Sequence, residues 1–173
     1  MTSPAVTSPN AASPAPIVEI HKLWSTFRAG RVETVIHQDL DLSIAQGEFL
    51  SIVGGSGTGK TVLLRQILGL ETPARGSVQV LGKPASEMTG RGSASRMGML
   101  FQNGALYSAF TVLENIAFPL RELGGLPDDL VRDAVMVKLQ MVGLDAIHAN
   151  KMPSDLSGGM IKRVALARAL IMD

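Results

Sequence analysis

"GGSGTGKT", Gly54 to Thr61, is the stretch on which the reading of this chain turns. It has the spacing G-x-x-x-x-G-K-[ST] and lies between an apolar run, Phe49 to Val53, and a segment with helical periodicity, "TVLLRQILGL". Glycines let successive backbone N–H groups converge on an anion and let the anion approach closely. A helix start just behind the loop adds a fixed partial positive charge. In a loop of this kind the lysine, Lys60, reaches the β and γ phosphates of a nucleotide, and the Thr61 hydroxyl binds Mg²⁺. Gly54, Gly55, Ser56, Gly57, Thr58, Gly59, Lys60, Thr61 and Val62 are therefore the expected phosphate site.

Outward from the loop, "GEFLSIV" reads as a strand buried on both faces, as in a parallel sheet. Behind it, Leu63, Leu64, Ile67 and Leu68 fall on one helical face that ends at Gly69. Upstream, "IVEIHKL" and "LDLSI" read as strands, with Ile17, Val18, Ile20 and Leu23, then Leu40, Leu42 and Ile44, as their apolar positions. "GSVQVLG" is a short strand, "EMTGRGSAS" a flexible connection and "RMGMLFQ" another buried strand. Beyond Gln102 the texture is helical. Thr111 caps a helix with Glu114 at capping-box offset. Val131, Val135, Leu139 and Val142 form one stripe, and a last helix runs from about Gly158 to about Met172. Strand, loop, helix, strand, helical insertion and helix make an α/β architecture with a helical subdomain.

Composition sets limits on the function. The chain has 173 residues, enough for one domain with a real core, and 46% of them are hydrophobic. Aromatics are only 4%, so aliphatic residues and nine Met must build that core. A net charge of +1 gives no strong pull toward nucleic acid or anionic lipid. Without Cys there is no disulfide framework, thiol chemistry or Cys-based zinc site. His21, His37 and His148 show no metal spacing. No apolar run approaches the ~20 residues a membrane-spanning helix needs. "MTSPAVTSPNAASPAP", residues 1–16, reads as a disordered tail.

A second phosphate-seeking arrangement lies in "DLSGGMIKRVALARAL", where a Ser and two Gly stand at the mouth of a helix. Locally, Ser157 is an N-cap followed by a glycine turn. With the phosphate loop upstream, "LSGGM", Leu156 to Met160, resembles the signature of ABC ATPases, from which Met160 departs where Gln is usual. The resemblance covers Ile17 to the last residue. It implies the RecA-like core of a P-loop NTPase, spanning 17–173, with antiparallel strands at its N-terminus and a helical subdomain at about 104–157. It also implies a head-to-tail pair of copies. The Ser157 hydroxyl and the Gly158 and Gly159 amides would then donate to the γ-phosphate of ATP held by the partner copy. Phe27, in "LWSTF", would lie against adenine, with Trp24 as the competing aromatic. Gln102, in "LFQNG", matches the residue that senses Mg²⁺ and the attacking water.

"MGMLFQNGALYSAFTVLENIAFPLRE" together with "LSGGMIKRVALARAL" closely resembles the ATP-binding subunit of Mla-type phospholipid and organic-solvent-resistance ABC transporters. That implies ATP and Mg²⁺ as cofactors. It further implies a transmembrane permease and a lipid-binding MCE-domain protein as partners, and a place at the cytoplasmic face of the inner membrane. No nucleic-acid partner is expected. Another ABC transport system, a soluble ABC protein or a nucleotide-binding regulatory remnant are the alternatives. The same resemblance places an Asp–Glu strand and a switch His beyond "ALIMD"; Asp173 continues a helical pattern and reads as its end. The expectation is thus a fragment of a longer ATPase, itself nearly without turnover for lack of a general base.

Overall fold

The first strand, β1 (Val18–Ala29), follows the alternation in its sequence but changes phase once. Val18 and Ile20 are buried before the change, Leu23 and Ser25 after it. Lys22 marks the shift: its φ is a left-handed 46° and the strand register slips around it. A bulge of this kind adds one residue and re-aims those that follow. Asp41 holds it from both ends, accepting the Lys22 N–H at 2.8 Å and meeting its ammonium at 2.9 Å. The side-chain hydrogen bond between them raises the Lys22 pKa and lowers that of Asp41.

The structure, a computed structural model, describes residues 15–30, 32–89, 97–102 and 104–172. It divides into two compact units, Met1–Met88 and Thr89–Asp173. In the first unit β1 pairs with β2 (Val32–Ile44) and β3 (Arg75–Val80), and β3 with the two-residue β4 (Lys83–Pro84). The sheet is antiparallel in the order β2–β1–β3–β4. Ile20 lies opposite Leu42 on one side and Val78 on the other. The helix α1 (Lys60–Ile67) buries Leu63 and Gln66. It ends in a Schellman motif: the Gly69 N–H donates to Gln66 O and the Leu70 N–H to Arg65 O. Gly69 has φ +70°, and a Cβ there would fall 2.0 Å from Ala85 O, so both conformation and space demand glycine.

The second unit packs α2 (Val112–Leu123), α3 (Asp128–Met141) and α4 (Gly158–Leu170) around one core. Ile116 and Leu120 meet Val131, Val135, Leu139 and Val164 there. α2 opens with the expected capping box: Glu114 N–H donates to Thr111 Oγ1 and Thr111 N–H to Glu114 Oε2. These bonds, the backbone one first, hold the Glu114 carboxyl below its usual pKa. Asp128 and Asp129 lie in the first turn of α3, where the helix dipole favours negative charge.

Three sequence expectations need correction. Phe49 to Val53 is not a buried strand: residues 48–55 carry no regular structure, and Phe49, Leu50, Ile52 and Val53 are exposed. Met97 to Gln102 likewise forms no strand, and Leu100 and Phe101 are exposed. An apolar run signals a need for burial, but a strand exists only by pairing, and neither run has a neighbour in the described sheet. On α1 the buried pair is Leu63 and Gln66, while Leu64 is 42% exposed. The tail at 1–14, residues 90–96 of the flexible connection, and Asp173 lie outside the described residues.

Candidate functional site

The phosphate loop runs from Gly54 into α1, turning at Ser56 and Gly57. Thr58 Oγ1 donates to Gly55 O at 3.0 Å, closing the turn. Lys60 reaches back over the loop, donating to Gly54 O at 2.8 Å, to Gly55 O, and to Thr58 Oγ1 at 3.2 Å. All three ammonium donors are thus spent on the loop itself. Gly59 is the N-cap of α1, with φ 92° and no side-chain cap. The first-turn amides therefore keep their donor capacity, and that turn contains no acidic residue. Uncapped amides and a helix N-terminus form a donor set that suits a polyphosphate, with the Lys60 charge beside them; its ammonium donors reach a phosphate only by leaving the loop oxygens they hold here. Thr61 is exposed and Val62 half-buried behind it.

A Cβ built on Gly59 would fall 2.3 Å from Ile36 Cγ2 and 2.7 Å from His37 Nε2, so β2 abuts the end of the loop. His37 Nδ1 lies 3.0 Å from Ser25 Oγ, which donates to Gln66 Oε1 at 2.9 Å. Ser25 and Gln66 are buried, and burial lowers the His37 pKa. Sequence reading missed this trio. Its signal was polar residues at positions the apolar pattern reserves: Ser25 in phase with Leu23, and Gln66 three residues after Leu63.

The two candidate aromatics differ in their surroundings. Trp24 donates its Nε1–H to Asp39 Oδ1 at 2.9 Å, and the Arg75 guanidinium lies 5.7 Å above its ring. Phe27, in phase with Leu23 and Ser25 after the bulge, is 60% exposed.

In the other unit Ser157 is the N-cap of α4, its Oγ accepting the Met160 N–H at 3.3 Å. Gly158 and Gly159 are the first two helical residues, and both are exposed. A Cβ on either would meet nothing within 4 Å. Their amides belong to the set a helix cannot satisfy internally. Gln102 is exposed in a turn closed by Gly104 N–H to Phe101 O. The following backbone is clamped by Arg168, which donates to Gly104 O and Ala105 O at 2.8 Å each and lies 5.9 Å over the Tyr107 ring. Burial pulls the Arg168 pKa below its ordinary value. Asn115, fully buried, accepts the Tyr107 N–H at 2.7 Å and donates to Tyr107 O, Phe110 O and Thr111 O. Neither Arg168 nor Asn115 was legible as a site support, because their partners are backbone groups.

The sequence model of the ABC transporter family matches residues 37–173. The chain belongs to the ABC transporter family. It is 42% identical over 160 residues to the intermembrane phospholipid transport system ATP-binding protein MlaF of Haemophilus influenzae, covering 91% of this chain and 59% of that protein. It is 40% identical over 159 residues to a probable ribonucleotide transport ATP-binding protein of Mycobacterium leprae, covering 90% of this chain and 44% of that protein. The chain thus spans about half the length of these relatives. Its fold is that of ABC ATPase cassettes. Against the cassette MJ0796, solved as a dimer in a post-hydrolysis state with ADP and Pi, the TM-score is 0.81. The sequence identity there is 32%, with 89% of this chain and 69% of that one covered. Among the described residues no helix is long and apolar enough to cross a membrane.

Proposed function

We propose that this chain is the nucleotide-binding part of an ABC transporter ATPase that drives phospholipid movement across a Gram-negative envelope through a membrane permease. On this reading Lys60, the Gly57–Thr61 amides and the Thr61 hydroxyl hold Mg²⁺-ATP, with Phe27 against the base. The bound metal offsets charge on the β and γ phosphates. Ser157, Gly158 and Gly159 of a second copy donate to the γ-phosphate from the opposite side. Gln102 would sense the Mg²⁺ and the attacking water.

One observation carries the two-copy reading. Gly158 and Gly159 serve no packing need inside their own protomer, since a Cβ on either meets nothing within 4 Å. Two glycines weaken the start of a helix, by roughly 0.5–1 kcal/mol each relative to Ala. Close approach from outside explains them: a partner's phosphate must come within hydrogen-bonding distance of their amides. Phospholipid as cargo is supported by the likeness to the phospholipid-system protein over 91% of the chain. A lipid-binding MCE-domain protein as partner and a station on the cytoplasmic face of the inner membrane belong to the same proposal.

The test is reconstitution of the intact ATPase with its permease in vesicles, measuring phosphate release with phospholipid or with ribonucleotides supplied. Stimulation by phospholipid, abolished by Lys60→Ala, is the expected result. Stimulation by ribonucleotides alone, the cargo named for the mycobacterial relative, overturns the lipid assignment.

A further inference from the structure

We propose that His37, Ser25 and Gln66 form a hydrogen-bonded relay tying the phosphate loop to the strand that carries Phe27, which makes His37 a positioning residue for nucleotide binding. The relay rests on the nucleotide reading of the Gly54–Thr61 loop and adds to it a requirement from residues outside that motif.

The geometry dictates the roles. Ser25 has one hydroxyl proton, and Gln66 Oε1 takes it at 2.9 Å. The 3.0 Å contact with His37 Nδ1 must then run the other way, with Nδ1–H donating to the Ser25 oxygen. His37 is thereby held as the Nδ1-protonated tautomer, with Nε2 turned toward Gly59. Each member sits on a different element: Ser25 on β1 two residues before Phe27, His37 on β2 beside Gly59, and Gln66 on α1 six residues after Lys60. Ser25 is 1% and Gln66 2% exposed, so water does not replace a lost partner. An apolar trio would pack these positions without fixing direction. A chain of donors and acceptors instead sets the distance from the base-facing strand to the helix start. Those are the two ends that a single nucleotide must span. Gly59 transmits the placement, because its lack of a Cβ lets Ile36 and His37 press directly on the loop's exit.

The experiment measures ATP affinity and ligand-free melting temperature for the whole chain, using a fluorescent ATP analogue, with Lys60→Ala as the non-binding control. His37→Leu keeps the bulk but removes the donor, and should weaken binding about tenfold, the scale of one buried hydrogen bond. His37→Asn presents an amide N–H near the place of Nδ1 and should restore affinity, whereas His37→Gln, whose N–H lies nearer Nε2, should not. Ser25→Ala should match His37→Leu, and the double variant should lose no more than either single one. Should His37→Leu fail to fold, the Asn and Gln variants decide alone. Wild-type binding with His37→Leu, or with both amide variants, within threefold of it overturns the relay, as does affinity that merely tracks melting temperature. A wild-type chain that binds no ATP overturns the nucleotide reading and the relay with it.

Discussion

Replacing Gly158 and Gly159 by Ala should make the protein more stable and less able to assemble. Both glycines are in the first turn of α4, neither has a positive φ, and neither faces an atom within 4 Å of a new Cβ. The methyl groups are therefore admitted without strain, and the helix gains roughly 0.5–1 kcal/mol per site, toward the lower figure near a terminus. For a unit of this size about 1 kcal/mol raises the melting temperature by ~4–8 °C. On the proposed two-copy reading, the same methyl groups stand where a partner's γ-phosphate would approach. Losing two hydrogen bonds to a charged acceptor costs about 1.5–3 kcal/mol each, a hundredfold or more in association. Differential scanning fluorimetry without nucleotide, and sedimentation velocity with Mg²⁺-ATP, read the two effects separately. A melting temperature that falls would show that the glycines serve the protomer's own fold. Undiminished ATP-dependent association would remove the reason given for them. Either result refutes the argument.

Gly59→Ala forces a side chain into φ 92° and against Ile36 and His37, so isothermal titration should show ATP affinity lower by at least about thirtyfold, from about 2 kcal/mol or more of strain. Phe27→Ala should weaken ATP binding by the ~1–3 kcal/mol of a lost base stack, whereas Trp24→Ala should lower the melting temperature with affinity little changed. Asn115→Ala takes the partner from the Tyr107 N–H and from Phe110 O, while Tyr107 O and Thr111 O keep backbone donors, and should destabilise the helical unit by about 3 kcal/mol in urea unfolding. Glu114 has a depressed pKa in the folded chain, so its contribution is present above the unfolded value and is lost as pH falls through the folded one. Melting curves from pH 7 to about pH 3 should show the wild type converging on Glu114→Gln in acid, with the gap restored at neutral pH.

The features legible in the sequence are those made by residues three or four apart. Thr111 with Glu114, Ser157 with Met160 N–H, and the Val131, Val135, Leu139 stripe all stand where periodicity and capping chemistry put them. The phosphate loop was legible for the same reason, since its glycines, lysine and threonine act within one turn of chain. The two apolar runs around it misled, because their composition states a demand for burial and says nothing about which strand lies alongside. Gln66 misled too: periodicity assigned the inner face of α1 to Leu64, but the buried position went to a glutamine with a serine partner 41 residues away.

What the sequence determined by itself is the chemistry of each terminus and loop: an ammonium, a hydroxyl, and amides left open at two helix starts. These follow from bonds the chain makes with itself over a few residues. Tertiary structure decided which aromatic is exposed and which polar groups share a hydrogen bond. It also decided which backbone Arg168 grips 64 residues away. Such outcomes depend on strand phase and on partners far apart in the chain, and the free energy of a contact of that kind exists only once the fold has brought its two halves together.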